Sequence, residues 1–384
     1  MAKALIELAE ELELLGWSVD MLSPDDLLPA ELKGKPWNQV RWHYQEALKQ
    51  YLQLHAAKYN VVEYDHSYLP YPRDEFSSDT LMVARSQLLV HHLETIQIPS
   101  PSISDLIRIH SWHTWKIKIR SFLKKHEDFR SRRKALENAQ LTIHEADITI
   151  VLNQIDRSEL LRQGISSERI YVIPNGLSAK FRALFHNIST DLPEEQRIVF
   201  IGTFDFRKGA LDFPEIVRII HDRIPSIKFR LIGTKGLYSH PKQVLALFPN
   251  YLRPHIEVIP AFQPKELPSL LSSCSIGVFP SYLEGFGLGV LEMLAASLPV
   301  IAYDAPGPPM MLPPDYLVAP GDTQGMSNKV VDLLQNPEKL KLARTWSKEQ
   351  SLKFSWEQIA RQTSQIYQKN WQMKQIKNEI QSVE

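Results

Sequence analysis

Short apolar segments alternate with helical segments along this sequence, in two successive series. The first series lies at residues 17–22, 61–64, 81–84 and 148–152, and the second at 198–201, 228–232, 256–259, 276–279 and 300–302. Alternating strands and helices require crossover connections, which place parallel strands in one sheet with helices on both faces. We therefore predict an α/β fold with two doubly wound, Rossmann-like parallel sheets.

A polar stretch at residues 186–196 separates the two series, and 384 residues suit two domains better than one. We predict an N-terminal domain over residues 1–190 and a second domain over residues 191–359. Before the first predicted strand, leucines recur at helical spacing among acidic residues. This pattern predicts an amphipathic helix that ends near Gly16, not a signal peptide.

Charge and composition exclude several classes of protein. Lysine and arginine together number 44, as do aspartate and glutamate, so no overall field favours nucleic acid. The lone Cys274 cannot form a disulfide within the chain, and no apolar run reaches the roughly 20 residues that span a bilayer. We therefore expect a cytoplasmic protein with no nucleic-acid partner.

The sequence PSYLEGFGLGVLEMLA follows the apolar segment 276–279 and combines a strand, a glycine-rich turn and a helix. Ligands bind at the carboxyl ends of parallel strands, where amides and the positive end of a helix favour an anion. Glu284 and Glu292 could hold hydroxyl groups at two points of one ligand. The alternative is a strand–turn–helix connection that binds no ligand, in which the glycines only turn the chain. This is the commoner explanation of a lone glycine-rich turn.

The first strand of the second series is followed by GTFDFRKG, residues 202–209, which places Arg207 and Lys208 at the mouth of that strand. The two cations would suit a diphosphate and would offset the negative charge of a leaving group. Surface charges without a ligand are the alternative, because exposed basic residues are common. No Asp-x-Asp pair is present to hold a divalent ion, so we expect no metal ion and no cofactor.

Taken together, the motifs resemble glycosyltransferase family four, the group 1 glycosyltransferases. The resemblance rests on Glu284 and Glu292 with Gly-Phe-Gly after the first glutamate, on Arg-Lys-Gly at 207–209, and on Ile-Pro-Asn-Gly at 173–176. It covers most of the chain and is most specific over residues 146–302. It implies the B-type fold, in which two Rossmann-like domains face a cleft and the last helix, about residues 360–384, packs back on the first domain.

The same resemblance implies an activity and roles for individual residues. The activity is transfer of a hexose from a nucleotide diphosphate sugar to a glycan, lipid-linked or small-molecule acceptor, with retention of the anomeric configuration. Glu284 would bind the donor sugar, Glu292 the ribose and Lys208 the diphosphate, with Arg207 as a second cation. The other implied donor-side residues are Gly202, Thr203, Gly285, Phe286, Gly287 and Leu288. Candidates on the acceptor side are Arg85, Gln87 and His91.

The sequence departs from the family pattern at three places. Thr203 stands where many relatives have an arginine, and Gln87 stands where they often have a histidine. His91 follows closely, although a helix residue without a chemical role is the more common explanation of a lone histidine. The family's first strand and its Gly-Gly loop are absent before Met1. We expect either that the true start lies upstream or that the enzyme is impaired.

A basic stretch lies at residues 112–134, where nine cationic side chains face only Glu127 and Asp128. The nine are Lys116, Lys118, Arg120, Lys124, Lys125, Arg130, Arg132, Arg133 and Lys134. Such a stretch could contact the anionic inner face of a membrane or guide a lipid-linked acceptor. A solvated helix face is the alternative.

Three functions therefore remain open from the sequence. The first is a retaining glycosyltransferase. The second is a non-catalytic protein that binds a sugar nucleotide or a glycan on the same scaffold, and the third is a nucleotide-sugar epimerase or hydrolase. A fold alone does not choose among them, because function resides in the site.

Overall fold

The computed structural model describes residues 2–101 and 125–381, which separate into two compact units. Of the described residues, the first unit comprises those up to Leu93, residues 125–174 and those from Trp356 onwards. The second comprises Asn175–Ser355 with the short stretch that follows Leu93. The division therefore precedes the predicted boundary at residue 190. It does so because Leu177 already forms a β-bridge with Ser355 within the second unit.

The first unit is built on a four-stranded parallel sheet in the order β1-β2-β3-β4. The strands are β1 (Val61–Asp65), β2 (Leu81–Arg85), β3 (Ile148–Val151) and β4 (Ile170–Val172). In β2, Leu81 and Val83 pack into a core on one face, and Met82 and Ala84 pack into a second core on the other. Successive side chains of a strand point to opposite faces, so helices must cover both sides of this sheet.

Six helices in the described part of the first unit, with α4 at its boundary after Leu93, accompany this sheet. They are α1 (Ala2–Leu14), α2 (Pro24–Leu27), α3 (Trp37–His55), α4 (His92–Thr95), α5 (Lys125–Glu145), α6 (Gln154–Arg162) and α14 (Trp356–Gln381). Leu8 and Leu12 of α1 and Ile359 and Tyr367 of α14 are buried in one core cluster. The closing helix α14 therefore groups with the first unit.

The second unit is built on a six-stranded parallel sheet in the order β10-β9-β8-β5-β6-β7. The strands are β5 (Arg197–Ile201), β6 (Lys228–Ile232), β7 (Ile256–Ile259), β8 (Ile276–Phe279), β9 (Val300–Tyr303) and β10 (Leu317–Val318). Every residue of β8 and of β9 is buried. Continuous burial is typical of central parallel strands that are covered on both faces.

The helices of the second unit connect these strands or cover them. They are α7 (Ala179–Ala183), α8 (Phe213–Arg223), α9 (Pro241–Leu245), α10 (Leu267–Ser272), α11 (Leu288–Ala295), α12 (Thr323–Leu334) and α13 (Pro337–Ser351). In α8, Ile216, Val217 and Ile220 are buried, whereas Arg218 and Asp222 form an ion pair at the surface. This amphipathic pattern holds the helix against the sheet.

Most of the predicted elements are confirmed, and one is wrong. The helix expected to end near Gly16 is α1, and Gly16 adopts a positive φ of 92°. Residues 17–22 were predicted to form a strand, but they form no strand in the structure. The sequence prediction also missed the short strands β4 and β10. None of the helices in the described part of the chain is both long and apolar enough to cross a membrane.

Candidate functional site

The two motifs of the second unit lie next to each other because their strands are neighbours in the sheet. β5 pairs with β8 in parallel, with Ile198 opposite Ile276 and Val199 opposite Gly277. Their carboxyl ends therefore lie at the same edge of the sheet. The segment 202–209 follows β5, and the segment 280–287 follows β8. This arrangement places both motifs where parallel sheets bind ligands.

The turn after β5 is stabilised by Asp205. Its carboxylate accepts hydrogen bonds from the backbone N–H of Lys208 at 3.0 Å and from the Thr203 hydroxyl at 2.9 Å. Asp205 thereby caps the short 3₁₀ helix Phe206–Lys208. Thr203 itself is exposed, and Gly202 hydrogen-bonds through its N–H to the carbonyl of Ile232. The cap fixes the backbone from which the Lys208 side chain projects.

Gly209 ends this turn in a conformation that requires glycine. Its φ is +78°, and a Cβ atom at this position would lie 2.2 Å from the carbonyl oxygen of Pro280. The two loops therefore approach each other through bare backbone. A side chain here would separate the segment that carries Lys208 from the segment that carries Glu284.

Lys208 and Glu284 form an ion pair between the two loops. The side chains are only 13% and 9% exposed, so the pair is largely removed from water. The hydroxyl of Ser281 donates a 2.6 Å hydrogen bond to Oε1 of Glu284, the same oxygen that pairs with Lys208. The Lys208 ammonium also lies 5.1 Å from the centre of the Phe279 ring. The structure thus brings together the two residues with the most specific predicted roles.

Arg207 braces the loop after β8. Its Nη1 donates to the carbonyl of Leu283 at 3.1 Å, and its own carbonyl accepts a 2.8 Å hydrogen bond from the N–H of Tyr282. The side chain is half-buried. Arg207 therefore positions residues 282 and 283, which directly precede Glu284. The sequence analysis did not predict this contact.

The amino end of α11 lies next to this pair in the chain. Gly287 is the cap residue with a φ of +90°, and Leu288 is the first helical residue. The preceding Gly285 and Phe286 are buried. A Cβ atom at Gly307 would lie 2.5 Å from the carbonyl of Phe286, so a second glycine allows this turn to pack closely. Glu292 lies on α11, one turn inside the helix, and is half-buried.

A third group in this region was missed by the sequence analysis. Oδ2 of Asp212 accepts hydrogen bonds from the hydroxyls of Tyr282 and Tyr303, each at 2.7 Å. Burial, and next the Asp212 carboxylate, raise the pKa of both phenols. Asp212 precedes α8, whereas the tyrosines lie in and after two different strands. No local sequence pattern marks such a contact, because it depends on the order of strands in the sheet.

The predicted acceptor residue Arg85 is engaged in a buried cluster of the first unit. Its Nε lies 2.8 Å from Oε2 of Glu63, and the Tyr367 hydroxyl donates to the same carboxylate oxygen. Burial alone would lower the pKa of Arg85, but the Glu63 carboxylate and Tyr367 outweigh that effect and raise it. This cluster ties β1 and β2 to α14, so Arg85 has a structural function here.

His91 is also buried, and neither of its ring nitrogens has a hydrogen-bond partner among the described residues. Burial, and next the neighbouring His66, lower the pKa of His91 to about 4, which keeps its ring neutral at physiological pH. Gln87 lies in the loop after β2, before His91 in the chain, and is half-buried. Nothing in this arrangement assigns chemistry to either side chain.

Two further expectations concern metal ions and membranes. Within residues 2–101 and 125–381, no group of three His, Cys, Asp or Glu side chains is placed to hold a metal ion. Most of the basic stretch at 112–134 lies outside the described residues, and of its nine cations the side chains of only Arg133 and Lys134 are described. Its contact with a membrane stays a prediction.

Known proteins resemble this chain in sequence and in fold. Residues 195–336 match the model of the family described as Glycosyl transferases group 1. An uncharacterized glycosyltransferase of Methanocaldococcus jannaschii is 32% identical over 175 residues, which are 44% of this chain and 47% of that protein. The sulfoquinovosyl transferase of Arabidopsis thaliana is 26% identical over 55% of this chain and 42% of that protein. The chain thus spans about half the length of these curated relatives or somewhat less.

The similarity of fold extends over nearly the whole chain. The sucrose-phosphate synthase of Thermosynechococcus elongatus superposes with a TM-score of 0.67 at 20% identity and covers 94% of this chain and 91% of that one. The prediction of a B-type fold with two Rossmann-like parallel sheets is confirmed. The segment that matches the group 1 glycosyl transferases comprises β5 to β10 and the loops that carry Lys208 and Glu284, so the second unit is similar to that family.

Proposed function

We propose that the protein is a retaining glycosyltransferase that transfers a hexose from a nucleotide diphosphate sugar without a metal ion. The observation that carries this proposal is the Lys208–Glu284 pair, which lies at the adjoining carboxyl ends of β5 and β8. A nearly buried cation and a nearly buried carboxylate side by side suit a ligand with both phosphate and hydroxyl groups.

Lys208 is the group that would bind the donor diphosphate. Its side chain is only 13% exposed, so water screens the Lys208 charge poorly and the attraction between the ammonium and a phosphate is strong. As the bond between C1 of the sugar and the phosphate oxygen breaks, negative charge grows on the departing diphosphate. An ammonium already positioned at that oxygen stabilises this charge without reorganisation.

Glu284 would hold hydroxyl groups of the donor sugar. The Ser281 hydroxyl donates a hydrogen bond to Oε1 of Glu284 and thereby fixes the orientation of the carboxylate. When a donor phosphate replaces Glu284 as the ion-pair partner of Lys208, the Glu284 carboxylate loses a hydrogen-bond donor. Hydroxyl groups of the donor sugar can replace it. Binding of the diphosphate and binding of the sugar are therefore linked. The diphosphate replaces Glu284 as the partner of Lys208, and the sugar replaces Lys208 as the partner of Glu284.

The amino end of α11 would supply further contacts to the donor. The first amides of a helix have no partner within the helix and favour an anion. Gly287 opens this helix without a side chain that could block an approaching group. Glu292 is the residue that we assign to the ribose hydroxyls on the resemblance to the family.

The reaction then follows from positioning and electrostatics. The acceptor hydroxyl attacks C1 on the face that the diphosphate leaves, and its proton passes to the departing phosphate oxygen. One C–O bond breaks while another forms, and no external acid or base is consumed. The structure of Anabaena HepE in complex with UDP and glucose, with a TM-score of 0.54 at 14% identity, supports uridine diphosphate sugars as the first donors to test.

The test is a transfer assay with uridine, guanosine and adenosine diphosphate hexoses, in the presence of a chelator, against simple sugar and glycolipid acceptors. We expect release of the nucleoside diphosphate, and a product whose anomeric configuration by proton NMR matches that of the donor. Lys208→Ala should lower kcat by on the order of 10²-fold to 10³-fold. Lys228→Ala is the matched control, because Lys228 begins β6 at the opposite edge of the sheet.

Inversion of configuration, or activity only with an added divalent ion, would contradict this mechanism. Nucleotide binding without turnover on any acceptor would favour the second function, a non-catalytic protein that binds sugar nucleotides. Hydrolysis or epimerisation of the donor without an acceptor would favour the third.

A further inference from the structure

The loop after β6, residues 233–240, lies at the same edge of the second sheet as the two motif loops. β6 pairs with β5 in parallel, and β5 lies between β6 and β8 in the order of strands. The segment 202–209 after β5 therefore has a neighbour on each side. One neighbour is the loop that carries Glu284, and the other is the loop 233–240. The proposed function uses the first of these neighbours and leaves the second without a role.

Backbone contacts join this loop to the segment 202–209 beyond the ends of the strands. The N–H of Phe204 donates to the carbonyl of Thr234 at 3.3 Å. A Cβ atom at Gly236 would lie 3.4 Å from the side chain of Thr203. Lys235 stands between Thr234 and Gly236 in the chain, so its backbone lies directly beside the predicted donor-side residue Thr203.

The backbone at Lys235 is held in place from two directions. Its N–H donates to the carbonyl of Pro260 at 3.0 Å, and the N–H of Gly236 donates to the carbonyl of Tyr238 at 3.3 Å. The Tyr238 side chain is buried, and the centre of its ring lies 6.0 Å from that of Phe204. A side chain on a backbone that is already ordered binds a ligand with a smaller loss of conformational entropy.

The charges of the two motif loops favour a further cation at this site. Their charged side chains cancel in formal charge, and they are Asp205, Arg207, Lys208 and Glu284. Lys208 pairs with Glu284, and Arg207 donates to the Leu283 carbonyl. A diphosphate carries negative charge on each phosphate group. Removing that charge from water is costly unless cations and hydrogen-bond donors lie against it.

Lys235 has the properties of such a cation. Its side chain is exposed, and no carboxylate within residues 2–101 and 125–381 forms an ion pair with it. A lysine ammonium is a compact charge with three donors on a flexible four-carbon stem, which suits phosphate oxygens. Lys235 therefore combines a fixed backbone beside Thr203 with a charge that a ligand can engage.

The order of the strands indicates which part of a donor lies near Lys235. Glu284, which would hold the sugar, lies on the β8 side of the segment 202–209, whereas Lys235 lies on the β6 side. We propose that Lys235 binds the phosphate group that carries the nucleoside, while Lys208 binds the phosphate group that is linked to the sugar. This inference rests on the proposed function, because it requires a nucleotide diphosphate sugar at the Lys208–Glu284 pair.

The two lysines should differ in their effect on the reaction. Charge develops on the phosphate oxygen that leaves the sugar, and that oxygen belongs to the phosphate bound by Lys208. The phosphate that carries the nucleoside has the same charge before and during the reaction, so Lys235 stabilises the bound donor and the transition state alike. Lys235→Gln should therefore raise KM for the donor by a larger factor than it lowers kcat.

The test is a calorimetric titration with uridine, guanosine and adenosine diphosphates in the presence of a chelator. The variants are Lys235→Gln, Lys235→Arg and the control Lys228→Gln, since Lys228 begins β6 at the other end of the same strand. For the nucleotide that binds, we expect affinity to fall about tenfold in Lys235→Gln, to recover in Lys235→Arg and to stay unchanged in the control. Lys235→Gln should unfold at the same urea concentration as the unaltered chain, because the Lys235 side chain is exposed.

A second measurement reports on direct contact in the unaltered chain. The N-hydroxysuccinimide ester of acetic acid acetylates exposed lysine side chains, and mass spectrometry gives the rate at each position. Saturating nucleotide should slow acetylation of Lys235 and leave that of the exposed Lys353, beyond the end of α13, unchanged. Equal acetylation of Lys235 with and without nucleotide would overturn the inference.

The outcomes separate this inference from the proposed function. If Lys208→Ala weakens nucleotide binding but Lys235→Gln does not, the role of Lys235 is refuted and the Lys208–Glu284 site stands. If the unaltered chain binds none of the three diphosphates, both proposals fail together.

Discussion

Ser281 and Glu284 are joined by a 2.6 Å hydrogen bond from the serine hydroxyl to the carboxylate oxygen that also pairs with Lys208. The short segment after β8 thus fixes the orientation of a carboxylate at the mouth of the sheet. Ser281 is fully buried, and the carbonyl oxygens of Arg207 and Leu283 lie 3.3 Å and 3.4 Å from its hydroxyl oxygen. Ser281 therefore positions Glu284, a role that the sequence motif alone did not predict.

Ser281→Ala should weaken donor use without unfolding the protein. The Glu284 carboxylate would lose one donor and gain freedom of orientation, which we expect to lower kcat/KM for the donor about threefold to thirtyfold. Ser281→Thr keeps the hydroxyl and is the matched variant. Steady-state kinetics with varied donor would decide the matter, and equal kcat/KM for Ser281→Ala and the unaltered chain would refute the positioning role.

Gly209→Ala should be strongly destabilising. The positive φ opposes any side chain there, and so does the distance of only 2.2 Å that would separate an added Cβ atom from the Pro280 carbonyl oxygen. We expect a loss of about 2–4 kcal/mol in the free energy of unfolding, measured with urea. Gly236→Ala is the control, because its Cβ would lie 3.4 Å from Thr203 in ordinary contact. Similar stabilities for the two variants would show that the loops have room to separate.

Asp212→Asn should cost stability because two buried phenols share its carboxylate. Each tyrosine hydroxyl now donates to a charged acceptor at 2.7 Å, and an amide oxygen is a weaker one. We expect a loss of about 1–3 kcal/mol. Tyr303→Phe removes one of the two bonds, so the loss in the double variant should fall short of the sum of the single losses. Strict additivity in urea unfolding would show that the three residues do not act together.

Acidification should destabilise the first unit through His91. Its pKa is lowered from 6.5 to about 4 in the folded chain, so the unfolded chain binds a proton that the folded chain does not. The contribution is fully present above about pH 6.5 and is lost as the pH falls towards 4, with a slope of at most about 1.4 kcal/mol per pH unit. The charged or titratable groups around the ring are His66, His92, Glu159 and Arg162.

His91→Asn removes this titrating group and should flatten the slope of unfolding free energy against pH between 6.5 and 4. The exposed His144 offers a control, because His144→Asn should leave the slope unchanged. Identical pH profiles for His91→Asn and the unaltered chain would contradict a neutral, buried His91.

The sequence predicted those parts of the structure that depend on local pattern. Five of the six strands in the second sheet, β5 to β9, were found because each contains a short run of mostly apolar residues. The two-residue strand β10 is too short for such a pattern. Residues 17–22 are the converse case, because they have a strand pattern but pair with no strand in the described part of the chain. Pairing depends on neighbours that are distant along the chain, and periodicity does not report them.

The site divides in the same way. The motif residues Lys208 and Glu284 were found from composition and spacing, and the structure brings them into contact. Their supports were not found, because the bond from Ser281 to Glu284 depends on the conformation of one loop, which no sequence pattern reports. The Leu283 carbonyl that Arg207 binds and the tyrosines that bind Asp212 are brought to their partners only by the order of strands in the sheet. Asp205 is the exception, since an aspartate three residues before Lys208 is a recognisable capping pattern.

The most direct test of the central claim is a calorimetric titration of the chain with uridine, guanosine and adenosine diphosphates, in the presence of a chelator. We predict that one nucleotide binds with a one-to-one stoichiometry. Its affinity should fall at least about tenfold in Lys208→Ala, a cost of about 1.4 kcal/mol, and stay unchanged in Lys228→Ala. Equal affinity in Lys208→Ala and in the control, or no binding of any of the three nucleotides, would contradict a diphosphate site at the Lys208–Glu284 pair.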